Sequence, residues 1–239
     1  MESSSGAVAV YCASSVGKQA AYVHAARSLG AAIAASGRPL VYGGGSQGIM
    51  GEVSQAVLKA GGDVIGVVPQ AMVLSGGEVD ITKGLRGPTV ALKEVGREKV
   101  QTIVVNSMHE RKLEMAKRSS GFIALPGGYG TFEEVLEVVC WSHLGIHAKP
   151  IIILNVLGYY NALRELIRNG VAEGFIPPKN ENLIVFVDGP SAREAHDTFE
   201  WGEAAIEALD SWKRPEQTHF YNWTTRKDGK TSADPLDAI

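Results

Sequence analysis

The stretch Phe122-Ile-Ala-Leu-Pro-Gly-Gly-Tyr-Gly-Thr-Phe-Glu-Glu134 changes character twice within a few residues. Phe122–Leu125 is an apolar run of strand length, Pro126–Thr131 is a glycine-rich turn, and from Phe132 to Leu144 apolar residues recur at three- and four-residue intervals, as on a helix. The same alternation continues in both directions. Strands are predicted at Val8–Tyr11, Pro39–Tyr42, Val64–Val68, Thr102–Val105, Phe122–Leu125, Ile151–Leu154 and Leu183–Val187. Helices are predicted at Gln19–Ala35, Gly48–Ala60, Met108–Arg118, Phe132–Leu144, Tyr160–Asn169 and Ala192–Leu209. Short β-branched runs joined by crossover-length helices predict an α/β fold, a doubly wound Rossmann-like parallel sheet of about seven strands with helices on both faces.

The chain has 239 residues, 45% hydrophobic and 21% charged, enough for one full core without metal or disulfide staples. Residues 1–212 read as a single Rossmann-like domain. Residues 213–239 read as a polar, turn-rich extension, either packed through Phe220, Tyr221 and Trp223 or disordered. A net charge of −3 with no basic cluster argues against nucleic acid or an anionic membrane as partner. No apolar run approaches the roughly 20 residues that span a bilayer, and the N-terminal residues lack the basic and apolar regions of a signal peptide. Cys12 and Cys140 lack CxxC spacing and read as reduced core thiols, consistent with a cytoplasmic location. The stretch from Pro69 to Arg97 is Gly-rich and long for a connection, so it reads as a functional or partly mobile loop.

In an open parallel sheet, ligands bind beyond the carboxyl ends of the strands. Two turns there are glycine-rich and lead into helices: Gly43-Gly-Gly-Ser-Gln-Gly48, which includes Gly44 and Gly45, and Pro126-Gly-Gly-Tyr-Gly-Thr131. Such turns aim backbone N–H groups and a helix dipole at an anion, so a phosphorylated ligand is expected. The first turn fits G-x-G-x-x-G but follows the second strand and lacks the acidic partner of a dinucleotide site; no P-loop is present. Glu134, at the start of the fifth helix, is either a capping-box partner of Thr131 or a carboxylate facing the ligand. Arg111 shares an apolar helix face with Met108 and Met115, either as a structural ion pair or as the cation of the site. Ser14 and Ser15, at the same edge, are potential donors to a ligand, or helix-start residues. His143 and His147 read as helix-end residues rather than metal ligands.

Together, Tyr42-Gly-Gly-Gly-Ser-Gln-Gly-Ile-Met-Gly51, Met108-His-Glu-Arg-Lys112 and Leu125-Pro-Gly-Gly-Tyr-Gly-Thr-Phe-Glu-Glu134 resemble the Lonely Guy family of cytokinin-activating enzymes. The resemblance runs from the first strand to the helix near Leu209. It implies hydrolysis of a nucleoside 5′-monophosphate, N6-isopentenyl-AMP or AMP, to free base and ribose 5-phosphate, by a homodimer with neither cofactor nor metal. It also implies Arg111 and Glu134 as the catalytic residues, and substrate contacts at Lys112, Gly127, Gly128, Tyr129, Gly130, Thr131, Phe132 and Glu133, with Glu78 and Cys140 matching further contacts. The connection Ser75–Arg97 is longer than the family's, and the C-terminal tail is extra. Two other classes stay open: a non-catalytic nucleotide carrier or sensor, and an amino-acid decarboxylase, for which no lysine-bound pyridoxal site is recognisable.

Overall fold

The computed structural model describes residues 6–74, 97–213 and 221–239. Seven parallel strands form one sheet: β1 (Ala7–Tyr11), β2 (Leu40–Tyr42), β3 (Val64–Pro69), β4 (Val100–Val105), β5 (Ser119–Ala124), β6 (Ile151–Asn155) and β7 (Val185–Asp188), in the order β4-β3-β2-β1-β5-β6-β7. The helices are α1 (Ala20–Ala35), α2 (Gly48–Lys59), α3 (Gln70–Leu74), α4 (Met108–Arg118), α5 (Tyr129–Leu144), α6 (Asn161–Ala172) and α7 (Trp201–Ser211). The chain steps outward from β1 to the β4 edge, then returns to the other side of β1 with β5. The reversal of strand order therefore falls between β1 and β5.

Alternate strand residues point to opposite faces, so each central strand feeds two cores. Val8, Val10, Leu40, Tyr42, Ile123 and Ile152 pack under α1, α2 and α7, with Trp201 fully buried among them. Ala9, Tyr11, Val41, Phe122, Ile151 and Ile153 pack under α4 and α5, with Met115, Val135 and Val138. Strands apolar on both faces are the reason the sequence shows continuous runs rather than alternation.

The crossover from β4 to β5 decides where the site lies. α4 leaves the β4 edge, crosses beneath β3 and β2 towards the centre, and passes into β5 with Arg118 and Ser119 adjacent in the chain. Ser107 caps its N-terminus, its side chain accepting from the Glu110 N–H, while Glu110 reaches back to the Asn106 N–H.

Four local expectations need correction. The helix predicted from Ala192 is broken into a 3₁₀ turn at Arg193–Asp197 and α7, because the His196 ring is tied to the Pro190 carbonyl and the Leu157 N–H. α5 starts three residues before Phe132, inside the glycine turn. Cys140 is exposed on the outer side of α5, opposite the buried Val135 and Val138, and is not a core thiol; Cys12 is buried. Within the stretch read as a loop, Pro69 ends β3 and Gln70–Leu74 forms α3. Glu78 and Phe220 lie outside the described residues. The tail docks where α4 and α5 end: Trp223 Nε1 donates to the Leu144 carbonyl, Lys117 pairs with Asp237, and Leu236 is buried. No helix among the described residues is long and apolar enough to cross a membrane.

α1 approaches α2 closely at Gly30, where a Cβ would lie 2.5 Å from the Val53 carbonyl oxygen and 2.6 Å from the Ala56 Cβ. Gly30→Ala should therefore lower stability by about 1–3 kcal/mol, seen as a lower urea midpoint at unchanged slope; an unchanged midpoint would show that the two helices separate without loss.

Candidate active site

A cavity of about 370 Å³ opens at the carboxyl edge of the sheet, with lining residues from both sides of the β1/β5 reversal. That is the position at which open α/β sheets bind ligands, and the volume is that of a small-molecule site. Each wall has a separate origin.

One wall is the turn from β5 into α5. Gly128 is the N-cap, without a side-chain cap, and the ladder begins with the Phe132 N–H donating to the Gly128 carbonyl. The amides of Tyr129, Gly130 and Thr131 come before that first bond and are the orphan donors of the helix start. A Cβ at Gly128 or Gly130 would meet nothing within 4 Å, and neither residue has positive φ. Neither packing nor backbone conformation requires glycine there, and without side chains the backbone stays open to close approach from the cavity. The capping-box reading of Thr131 and Glu134 is overturned, since Thr131 is the third residue inside the helix. Glu134, on the second turn, lines the cavity instead.

Arg111 comes from the opposite wall. Its Nε donates to the Val67 carbonyl at 3.2 Å and its Nη2 to the Gly43 carbonyl at 3.3 Å, so the ends of β3 and β2 hold the guanidinium. Its Nη1 stands 3.8 Å from Glu134 Oε1. Arg111 is 4% exposed and Glu134 8%, so the two charges meet largely out of water, where each needs the other. Behind them, burial, and then the Glu134 and Glu137 carboxylates, raise the Tyr11 phenol well above its ordinary pKa and keep it neutral.

At the first glycine turn two of the helix-start amides are already engaged by the protein. The Ile49 and Met50 N–H groups at the start of α2 donate to the Ser15 and Ala13 carbonyls. Gly43 serves by its lack of a side chain: a Cβ there would lie 1.9 Å from Arg111 Nη2. A Cβ on Gly44 would strike Val68, and one on Gly45 would press on Met50; both residues shape the turn without lining the cavity.

Of the other expected site residues, Ser14, Gly128, Tyr129, Gly130, Thr131 and Glu133 line the cavity, as does Ser15. Lys112 does not. It pairs with Glu133 and, at 2.9 Å, with Glu137, outside the lining. Burial disfavours its charge, but the bonds to Glu133 and Glu137 raise its pKa overall. Phe132 stacks on Tyr159, Cys140 is exposed away from the cavity, and Gly127 lines a smaller neighbouring cavity. His147 Nε2 bonds the Val138 carbonyl and His143 bonds Asn180, and no group of metal-ligating side chains occurs among the described residues. Sequence reasoning missed Met50 and Met72, which with Met108 give the cavity a thioether wall. Their signal, three of five methionines at one sheet edge, becomes visible only once the fold is known.

A family model described as "Possible lysine decarboxylase" matches residues 50–196. The chain is 51% identical over 186 residues to "Probable cytokinin riboside 5′-monophosphate phosphoribohydrolase LOGL9" of Oryza sativa subsp. japonica, covering 77% of this chain and 73% of the relative. It is 45% identical over 194 residues to "Cytokinin riboside 5′-monophosphate phosphoribohydrolase LOG1" of Arabidopsis thaliana, covering 81% and 82%. Among solved structures, the molybdenum cofactor binding protein of Rippkaea orientalis superposes with a TM-score of 0.54 at 21% identity, covering 87% of this chain and 96% of that one. At that identity the likeness is one of fold alone.

Gly43→Ala tests the construction of the site. A crystal structure of the variant should show the Arg111 guanidinium displaced from the Gly43 carbonyl and from Glu134, with a lowered melting temperature because a buried charge pair is parted; an undisturbed pair would mean that the glycine has another role.

Proposed function

The chain belongs to the Lonely Guy family of cytokinin riboside 5′-monophosphate phosphoribohydrolases, and from that membership we propose that it hydrolyses the N-glycosidic bond of an N6-prenylated adenosine 5′-monophosphate to free base and ribose 5-phosphate. The observation that carries this reading is the buried meeting of Arg111 and Glu134 across a cavity bounded by the free amides of α5.

Breaking a ribosyl C–N bond develops positive charge on the sugar and negative charge on the departing purine. Glu134 faces the sugar, where its carboxylate stabilises the oxocarbenium-like state and orients water, by analogy with glycoside hydrolysis. Arg111 holds Glu134 and offsets its charge; a guanidinium does not readily deprotonate, so it orients the substrate and does not supply the proton. The 5′-phosphate sits on the amides of Tyr129, Gly130 and Thr131 at the positive end of the α5 dipole. Binding energy at the phosphate then positions a sugar several bonds away. The wall of Met50, Met72 and Met108 is apolar and adaptable, which suits a prenyl substituent on the purine.

The same membership supports a homodimer, and the free thiols of Cys12 and Cys140 support our placing it in the cytoplasm. Tyr129, Leu136 and Met108 are exposed apolar side chains on α5 and α4 beside the cavity and offer area for a second copy. Light scattering should give twice the 25.4 kDa chain mass, and the chain mass alone would remove that part of the proposal.

A carrier or sensor of the same fold is the competing reading. Retaining a phosphate gains nothing from an anionic Glu134 beside it, and this favours hydrolysis. Decarboxylation through a lysine-bound cofactor has less support, because no lysine is among the described residues lining the cavity.

Product chromatography with N6-isopentenyl-AMP, AMP and N6-isopentenyladenosine separates these readings. Base release should be fastest from the prenylated nucleotide and much slower from the nucleoside. Glu134→Gln should lose roughly 10²–10⁴-fold in kcat while circular dichroism shows it still folded at the assay temperature, its melting temperature lowered by the loss of the buried charge pair. Binding of nucleotide without turnover by the wild type would establish the carrier instead.

A further inference from the structure

Beyond the catalytic pair, the geometry points to Tyr159 as a positioning residue that sets the preference for a 5′-phosphate, through a hydrogen bond that fixes the Gly127–Gly128 peptide. This inference rests on the proposed binding of phosphate at the start of α5.

Tyr159 and Tyr160 follow β6 and lie against the β5–α5 turn from behind. Tyr160 Oη donates to the Leu125 carbonyl at 2.8 Å, and Tyr159 Oη donates to the Gly127 carbonyl at 2.5 Å. A trans peptide is planar, with C=O and N–H on opposite sides. Gly127, Gly128 and Tyr159 all line the smaller cavity of about 230 Å³, whereas only Gly128 of the three also lines the larger one. Drawing the Gly127 oxygen towards Tyr159 therefore turns the Gly128 N–H towards the substrate cavity. It adds a donor to the three that begin α5. Glycine on both sides of this peptide makes rotation sterically cheap, so an external bond is needed to hold it.

The chain has been shaped to place that phenol. Leu157 is the only non-glycine residue of positive φ among those described, at 55°, and Gly158 follows at 72°. This left-handed pair reverses the chain after β6 and sets the two tyrosines side by side. Strain of order 1–3 kcal/mol at one residue persists only where the surroundings fix it. Here Asn155 does so: its Oδ1 accepts from the Tyr160 N–H, and its Nδ2 donates to Asn161 and Asp188. The Tyr159 ring also stacks on Phe132 and meets Tyr160 edge-on. Burial raises the pKa of both phenols, so each keeps its proton at any working pH.

Tyr159→Phe removes the hydroxyl and keeps the ring packing. For this variant, KM for N6-isopentenyl-AMP and the inhibition constant of ribose 5-phosphate should both rise about tenfold, the scale of one hydrogen bond to a charged group, while the inhibition constant of adenine and kcat change by less than about twofold. Tyr160→Phe is the control: its partner carbonyl precedes Pro126, which has no N–H to aim, so it should lower the melting temperature and leave the ratio of the two inhibition constants unchanged. If ribose 5-phosphate and adenine weaken together in Tyr159→Phe, or neither weakens, the positioning role is wrong. Should the wild type release no base, calorimetry of AMP against adenosine gives the same comparison, so the hydrolase reading can fail without deciding this one.

Discussion

A guanidinium with almost no access to water must have its charge and its donors answered by the protein, and at Arg111 that requirement organises the whole carboxyl edge of the sheet. Two backbone carbonyls, from the end of β3 and the turn after β2, take up Nε and Nη2, and Glu134 supplies the opposing charge. The carbonyls fix the direction of the side chain, and the carboxylate justifies its burial. Gly43 is glycine because the guanidinium occupies the space of its missing Cβ. Gly43 is thus explained by an arginine far away in sequence, whereas Gly44 and Gly45 answer to Val68 and Met50.

The two glycine-rich turns look alike as strings and differ in what meets their amides. At the start of α2 the carbonyls of Ala13 and Ser15 accept from the first helical N–H groups, so the β1–α1 connection itself caps the helix. At the start of α5 no side chain caps, and Gly128 and Gly130 face open space. A helix dipole attracts an anion only where its donors are unspent. The β5–α5 turn meets that condition. Its donors and the Glu134 carboxylate line one cavity.

The sheet was legible in the sequence because its strands are buried on both faces and stand out as β-branched runs, and Arg111 was legible because it interrupts the apolar face of Met108 and Met115. Glu134 was ambiguous. T-x-x-E describes a capping box equally well, and only the start of α5 at Tyr129 removes that option. The thioether wall was not legible, since Met50, Met72 and Met108 come from three elements that meet only through strand order. Cys140 misled for a related reason: its neighbours Val138 and Val139 are apolar, yet helical rotation turns it outward. Spacing along the chain indicates which side chains share a face of one element. It says little about which faces of different elements meet.

The direct passage of α4 into β5 has a mechanical meaning. With no linker between them, the segment bearing the guanidinium is a rigid extension of the central strand, and tilting it would tear the pairing of β5 with β1 and β6. The carboxylate is likewise anchored, since α5 leaves the far end of the same strand. Both side chains are therefore bolted to one beam, and any change in the shape of the cavity between them must come from the loops around them.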